Sequence, residues 1–131
     1  LTEMAEYFEK EIGYEIPPQT PFMGRDFCAT RAGIHADGLL KDEQIYNIFN
    51  TQAILNRAPQ VVVDAHSGLA GIAYFMNGHR KKGAEAVDKR AESVAKIKEK
   101  VDALYANGRV SSLGEEELLE LCKAHAPEMF D

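Results

Sequence analysis

Arg31-Ala32-Gly33-Ile34-His35-Ala36-Asp37-Gly38-Leu39-Leu40-Lys41 is the stretch on which the reading of this chain turns. Ile34, Leu39 and Leu40 fall at spacings compatible with a helix over residues 30–40. Gly33 and Gly38 oppose it, each costing a helix roughly 1 kcal/mol relative to Ala. A packed core has no use for that arrangement. Glycines on both sides of a single imidazole, His35, leave room for another backbone or a ligand to come close.

Downstream, Asp42 is a good N-cap, and Glu43 and Gln44 suit a first helical turn. Tyr46 follows, then the amphipathic fragment Ile48-Phe49. On one straight helix His35 and Tyr46 would stand about 16 Å apart along the axis, too far to touch one small substrate. A bend near Lys41-Asp42, where the cap signal lies, brings them onto one surface.

Outward from this stretch the chain reads as helical. Thr2 is a plausible N-cap for a short amphipathic helix carrying Leu1, Ala5, Phe8 and Ile12, and Gly13 suits its left-handed stop. Pro17, Pro18 and Pro21 make residues 14–22 extended, and Gly24-Arg25-Asp26-Phe27 is a turn. Residues 50–59 are polar and turn-rich, and Val61-Val62-Val63 is a short extended piece. Ser67 is a fair N-cap for a helix running to Met76. Because helix N-termini favour anions, Ser67 and Gly68 are candidates for holding a phosphate or carboxylate, against the plainer reading of capping alone. Residues 77–83 form a basic turn. After it comes a long helix with the stripe Val87, Ala91, Val94, Ile97, Val101 and Leu104, stopped at Gly108. Ser112-x-x-Glu115 matches a capping box for a last helix through Leu118, Leu119 and Cys122, ending before Pro127. The expected fold is all-α, in two small subdomains: residues 1–80, and a C-terminal helical hairpin over residues 81–131.

At 131 residues the chain can bury roughly two-thirds of its unfolded surface. A net charge of −6 argues against nucleic acid as a partner, since phosphate binding wants a basic face. No apolar run approaches the ~20 residues of a membrane span. Cys28 and Cys122 are far apart, with neither a CxxC nor a secretory signal, so a reducing cytoplasm is the simpler expectation. The start at Leu1-Thr2-Glu3, without Met or a leader, reads as an internal or C-terminal piece. His35, His66, His79 and His125 are scattered, and no pair has the spacing of two ligands on one helix face, so no metal site is expected here.

Taken alone, His35 is as compatible with a structural or merely exposed histidine as with a catalytic one, and Tyr46 with a half-buried aromatic whose hydroxyl is wet. Asp37 and Lys41, four apart, suit a helix-face ion pair. His35 with Tyr46 is nonetheless the acid/base pair for which a chemical role can be argued.

The blocks Ala32-Gly33-Ile34-His35-Ala36-Asp37-Gly38-Leu39-Leu40-Lys41, then Tyr46, then Ser67-Gly68-Leu69-Ala70-Gly71-Ile72 resemble the segment after the barrel in the acyl-CoA/2-oxoacid condensing enzymes. These are the α-isopropylmalate, homocitrate, citramalate and Re-face citrate synthases. The resemblance covers residues 1–80 and fades over the last fifty or so. It implies a cytoplasmic acyltransferase of the kind found in amino-acid biosynthesis, with a (β/α)₈ barrel outside this sequence. That barrel would hold a divalent metal, acetyl-CoA and a 2-oxoacid, and the helical part would reach over the barrel of a partner subunit in a homodimer. It further implies acid/base chemistry at His35, with Tyr46 in the same site and no membrane or nucleic-acid partner. The family's serine-glycine block commonly continues with arginine where this chain has Leu69, so any anion contact carried by that arginine is not expected to transfer. The acceptor is left open, with a lean towards the citrate and homocitrate members. Without its barrel the fragment is expected to be inactive. The rival expectation is a non-catalytic helical dimerisation or regulatory module.

Overall fold

The computed structural model describes every residue, Leu1–Asp131. It is all-α, as expected: α1 (Thr2–Ile12), α2 (Gly33–Lys41), α3 (Thr51–Leu55), α4 (Leu69–His79), α5 (Glu92–Ala106) and α6 (Glu115–His125). A vestige of sheet joins β1 (Ala29–Thr30) to β2 (Gln60–Val61) in parallel, with Ala29 opposite Gln60 and Thr30 opposite Val61. Short 3₁₀ turns occupy Glu43–Ile45 and Pro127–Met129.

The element that organises the rest is α4, Leu-Ala-Gly-Ile-Ala-Tyr-Phe-Met-Asn-Gly-His, apolar nearly all round and therefore buried on more than one side. Its small side, with Ala70, meets Ala36 and Leu39 of α2 and Val61 of β2. Gly71 lets β2 approach: a Cβ there would come within 3.2 Å of Val61 Cγ1. Its large side, with Ile72, Phe75 and Met76, packs into the main core against Val94, Ile97 and Val101 of α5 and Leu118 and Cys122 of α6. That core draws on residues from both sides of residue 80. Burial pushes the Cys122 thiol up to about 12, so it behaves here as a small hydrophobe.

Several local expectations are corrected, each by a competing hydrogen bond or packing contact. Leu1, not Thr2, occupies the N-cap of α1, and the Thr2 hydroxyl donates instead to the Leu55 carbonyl at 2.5 Å. Gly13 does take the left-handed stop, at φ 70°. The stripe of α1 is not a core face. Ala5 is buried, whereas Leu1, Met4, Phe8 and Ile12 stay exposed. Within residues 50–59 the structure forms the one-turn helix α3, because the Asn50 side chain accepts from Ala53 N at 2.9 Å.

The long helix starts at Glu92, later than its apolar stripe suggests. The reason is Asn77 on α4, whose amide donates to the Val87 carbonyl (3.0 Å) and accepts from Val87 N–H (2.8 Å). Held this way, residues 84–90 stay irregular, and Val87 and Ala91 pack on the core from outside the helix. At α6 the capping box does not form, and Gly114 is the N-cap. Glu115 is engaged by His79 Nε2 at 3.0 Å, while the Arg109 fork takes Glu117 (2.5 and 2.8 Å) and the Ser112 carbonyl (3.0 Å).

Ile97 is 0% exposed and Leu104 only partly buried. Ile97→Ala should therefore cost about 2–5 kcal/mol and Leu104→Ala clearly less. Urea midpoints of the two variants check this; equal losses would mean that α5 presents a different face to the core.

Candidate functional site

The site forms where α2 begins and where the chain turns after it. No Ser, Thr, Asp or Asn precedes Gly33, so α2 starts from extended Ala32 without a side-chain cap. The N–H groups of its first turn are left to water or a ligand. His35 lies in that turn, exposed, with Nδ1 3.3 Å from Thr30 Oγ1. Thr30 is itself fixed by the strand pair, its carbonyl accepting from Val62 N–H at 2.8 Å. Of the two ring nitrogens, Nε2 has no hydrogen-bond partner in the protein. If a neutral ring donates from Nδ1 to Thr30, Nε2 is free as a base, and the same ring protonated at Nε2 is the acid. If Thr30 donates to Nδ1 instead, the ring proton sits on Nε2 and that nitrogen can only donate a hydrogen bond.

The chain breaks where Asp42 marks it. α2 ends at Lys41, and the Asp42 carboxylate accepts from Gln44 N–H at 2.9 Å to start the 3₁₀ turn. The turn is not continued into a second α-helix over Tyr46–Phe49 as the cap signal suggests. It folds Tyr46 back onto α2, where its ring centroid lies 4.5 Å from that of His35 at 50° between planes. Tyr46 is 48% exposed, so imidazole and phenol share one open surface. Gly38, one turn on from His35 along α2, lies under the Tyr46 ring, where a Cβ would stand 2.9 Å from Tyr46 Cδ2.

Asp37 faces away into an ion cluster. Lys41 donates to its Oδ2 at 2.9 Å, and Lys89, from the irregular segment before α5, hydrogen-bonds its Oδ1. The Lys89 and then the Lys41 hydrogen bonds hold the Asp37 carboxyl below the usual carboxylate range. The Asp37–Lys41 pair is legible in the sequence, whereas Lys89, 52 positions away, gives no sequence signal.

Ser67 and Gly68 are placed differently from expectation. Gly68, not Ser67, is the N-cap of α4. Ser67 is buried, and its hydroxyl accepts from Asp64 N–H (2.9 Å) and donates to the Val62 carbonyl (3.2 Å). Those internal partners, set by the tight turn at residues 64–67, turn the hydroxyl away from any ligand. Gly68 does approach α2: a Cβ on Gly33 would stand 3.9 Å from Gly68 N. Two helix N-termini without side-chain caps thus lie side by side, with the exposed Arg31 guanidinium nearby, 4.0 Å from Asp64. That grouping favours negative charge.

His79 is engaged elsewhere: it stacks on Phe75 (4.1 Å between ring centres) and pairs with Glu115. No three His, Cys, Asp or Glu side chains come together as metal ligands. No helix is long and apolar enough to cross a membrane.

No family model matches the chain. Among curated proteins it is 50% identical to the citrate (Re)-synthase of Clostridium kluyveri over 132 residues, covering 100% of this chain and 29% of that protein. It is 47% identical to the citrate (Re)-synthase of Syntrophus aciditrophicus over 131 residues, covering 99% of this chain and 21% of the relative. With the 2-phosphinomethylmalate synthase of Streptomyces hygroscopicus the identity is 35% over 118 residues, 90% of this chain and 26% of the relative. The chain therefore spans less than a third of the length of these relatives.

Because its folded pKa is depressed, Asp37 stabilises the fold at pH values above its unfolded pKa, and the contribution is lost as pH falls through the lowered folded value. Asp37→Asn should lower the urea midpoint at pH 7, and the gap to the parent should be smaller near pH 2, below the ordinary carboxylate pKa of about 3.9. Unfolding curves at the two pH values check the sign. A gap that persists undiminished in acid would place the effect in packing.

Proposed function

The chain is homologous to the C-terminal part of citrate (Re)-synthases, 2-isopropylmalate synthases and citramalate synthases, and from this we propose that it is the helical portion of an acyl-CoA/2-oxoacid condensing synthase, contributing His35 and Tyr46 as acid/base groups. The observation that carries the reading is the meeting of an exposed imidazole and an exposed phenol, 4.5 Å between ring centres, at the open N-terminus of α2.

A condensation of this class takes a weakly acidic proton from the carbon beside a thioester. That carbon then adds to the ketone of the 2-oxoacid, and the new alkoxide gains a proton. The group that moves the proton works best with a pKa near neutrality, which is the range of imidazole. His35 offers Nε2 for this transfer, with Nδ1 held 3.3 Å from Thr30 Oγ1. The Tyr46 hydroxyl donates to oxygen as charge develops there. The adjoining starts of α2 and α4, with Arg31, suit the carboxylate of a 2-oxoacid, and Gly68 belongs to that surface through its backbone. Ser67 supports the turn behind it.

The acyl donor is acetyl-CoA. The identities of 50% and 47% to citrate (Re)-synthases favour the citrate-forming acceptor class over the others. The divalent metal implied by the resemblance finds no ligand set among these residues, and the roles given to His35 and Tyr46 need none from this chain. In this reading the barrel lies in the part of the relatives that the chain does not span, and the protein works in the cytoplasm as a homodimer. The bare stripe of α1, with Met4, Phe8 and Ile12, supports contact with a barrel or a partner subunit. The same stripe favours the second reading, a non-catalytic helical dimerisation or regulatory module.

His35→Ala in the full-length protein separates the two. Turnover should fall by roughly 10²–10⁴-fold with a much smaller change in KM. Tyr46→Phe, which keeps the ring, should lose less. Steady-state kinetics, with circular dichroism to confirm folding, gives the answer. Parent-like kcat in a folded His35→Ala protein would leave the non-catalytic module.

A further inference from the structure

We propose that Gly38 is a positioning residue: the space left by its absent side chain is the seat that holds the Tyr46 ring against His35. The catalytic consequence rests on the function proposed above, whereas the geometric claim does not.

A glycine inside an α-helix is disfavoured, so its presence calls for a reason. Backbone conformation is not the reason here, since Gly38 is helical and is not among the positive-φ positions, which are Phe22, Asn56, Gly13, Gly83 and Gly108. The reason is close approach. A Cβ built on Gly38 would overlap Tyr46 Cε2, stand 2.9 Å from Tyr46 Cδ2, and reach 3.4 Å from Ile45 Cγ2. Gly78, the glycine near the end of α4, shows the contrast, because a Cβ there meets nothing within 4 Å.

His35 and Gly38 are three apart on α2 and so share a face. The Tyr46 ring spans the two positions, its edge over Gly38 and its centre 4.5 Å from the imidazole centre. The helix carbonyl of Gly38 also accepts from Asp42 N–H at 2.9 Å, so the residue that seats the ring also ends the helix that the ring folds back upon. Tyr46 is 48% exposed and lies beyond the end of α2, free to swing into solvent. A methyl group at position 38 therefore displaces the ring and leaves the fold in place.

The test uses the full-length protein with Gly38→Ala, Tyr46→Ala and the double variant, read in two ways. In protein labelled with ¹³C-histidine, the Tyr46 ring current makes the His35 ring resonance distinctive. Gly38→Ala should shift it in the same direction as Tyr46→Ala, and the double variant should match Tyr46→Ala. In turnover, Gly38→Ala and Tyr46→Ala should each lower kcat by about tenfold, and the double variant should be no slower than Tyr46→Ala, because two changes acting through one contact are not additive. Should Gly38→Ala fail to fold, the double variant should fold, since removing the ring opens the space. A double variant that also fails to fold overturns the proposal, as does a parent-like His35 resonance in folded Gly38→Ala, or losses in kcat that multiply. Resonances that move as expected while Tyr46→Ala turns over like the parent uphold the seat and overturn the catalytic role of Tyr46.

Discussion

Burial of α4 on two sides is the constraint on which the other elements depend. An eleven-residue helix with Ile72, Ala73 and Met76 fully excluded from water cannot sit at a surface, so something must cover each side. The large side chains call for α5 and α6, and the small ones admit α2 and β2 at close range. The difference in residue size matters more than hydrophobicity. Ala70 and Gly71 let a second layer approach closely enough for Ala36 and Leu39 to be buried. With α2 pinned there, its N-terminus lies beside that of α4, and this is what gathers Gly33, Gly68 and Arg31 at one place.

The candidate site is built from the residues this packing leaves over. α2 spends Ala36, Gly38 and Leu39 on burial and turns His35 to solvent. Asp37 points into a clamp with Lys41 and Lys89, which ties α2 to the segment that leads into α5. Ion pairs this exposed contribute modestly to stability. Their effect here is on orientation, fixing which way α2 faces as the chain folds back after Asp42. Imidazole and phenol then meet on a rigid helix whose rotation is set by the core.

Long periodic segments were legible in the sequence. Helices near residues 2–12, 92–106 and 115–125 follow from stripes of apolar residues. The helix expected from Ser67 to Met76 follows from its cap signal and small residues and runs on to His79, and the bend at Asp42 follows from its capping chemistry. The bend also made a shared surface for His35 and Tyr46 legible, though not the contact between their rings. The parts that were not legible depend on distant partners. Thr2, Ser67 and Ser112 all carry a cap signature, and each is drawn off its helix: Thr2 by Leu55, Ser67 by Val62 and Asp64, and the Ser112 backbone by Arg109. Asn77 holds Val87 out of α5 across ten positions, and Lys89 reaches Asp37 across 52. Gly38 was visible as an oddity, a glycine inside a helix, but the ring that explains it could be placed only once the chain had folded back. α1 gives the opposite case: its stripe is real, yet Leu1, Phe8 and Ile12 stay exposed.

The central claim is that the imidazole of His35 carries the proton in condensation, and chemical rescue tests it most directly. Within this chain the His35 ring meets only Thr30 and Tyr46 by hydrogen bond or ring contact, so His35→Ala leaves a gap of imidazole size for free imidazole to fill. In the full-length protein, turnover of the His35→Ala variant should rise with imidazole concentration and recover part of the lost rate, while Tyr46→Ala gains nothing from the same additions. A folded His35→Ala protein that turns over at the parent rate, with no response to imidazole, would contradict the account.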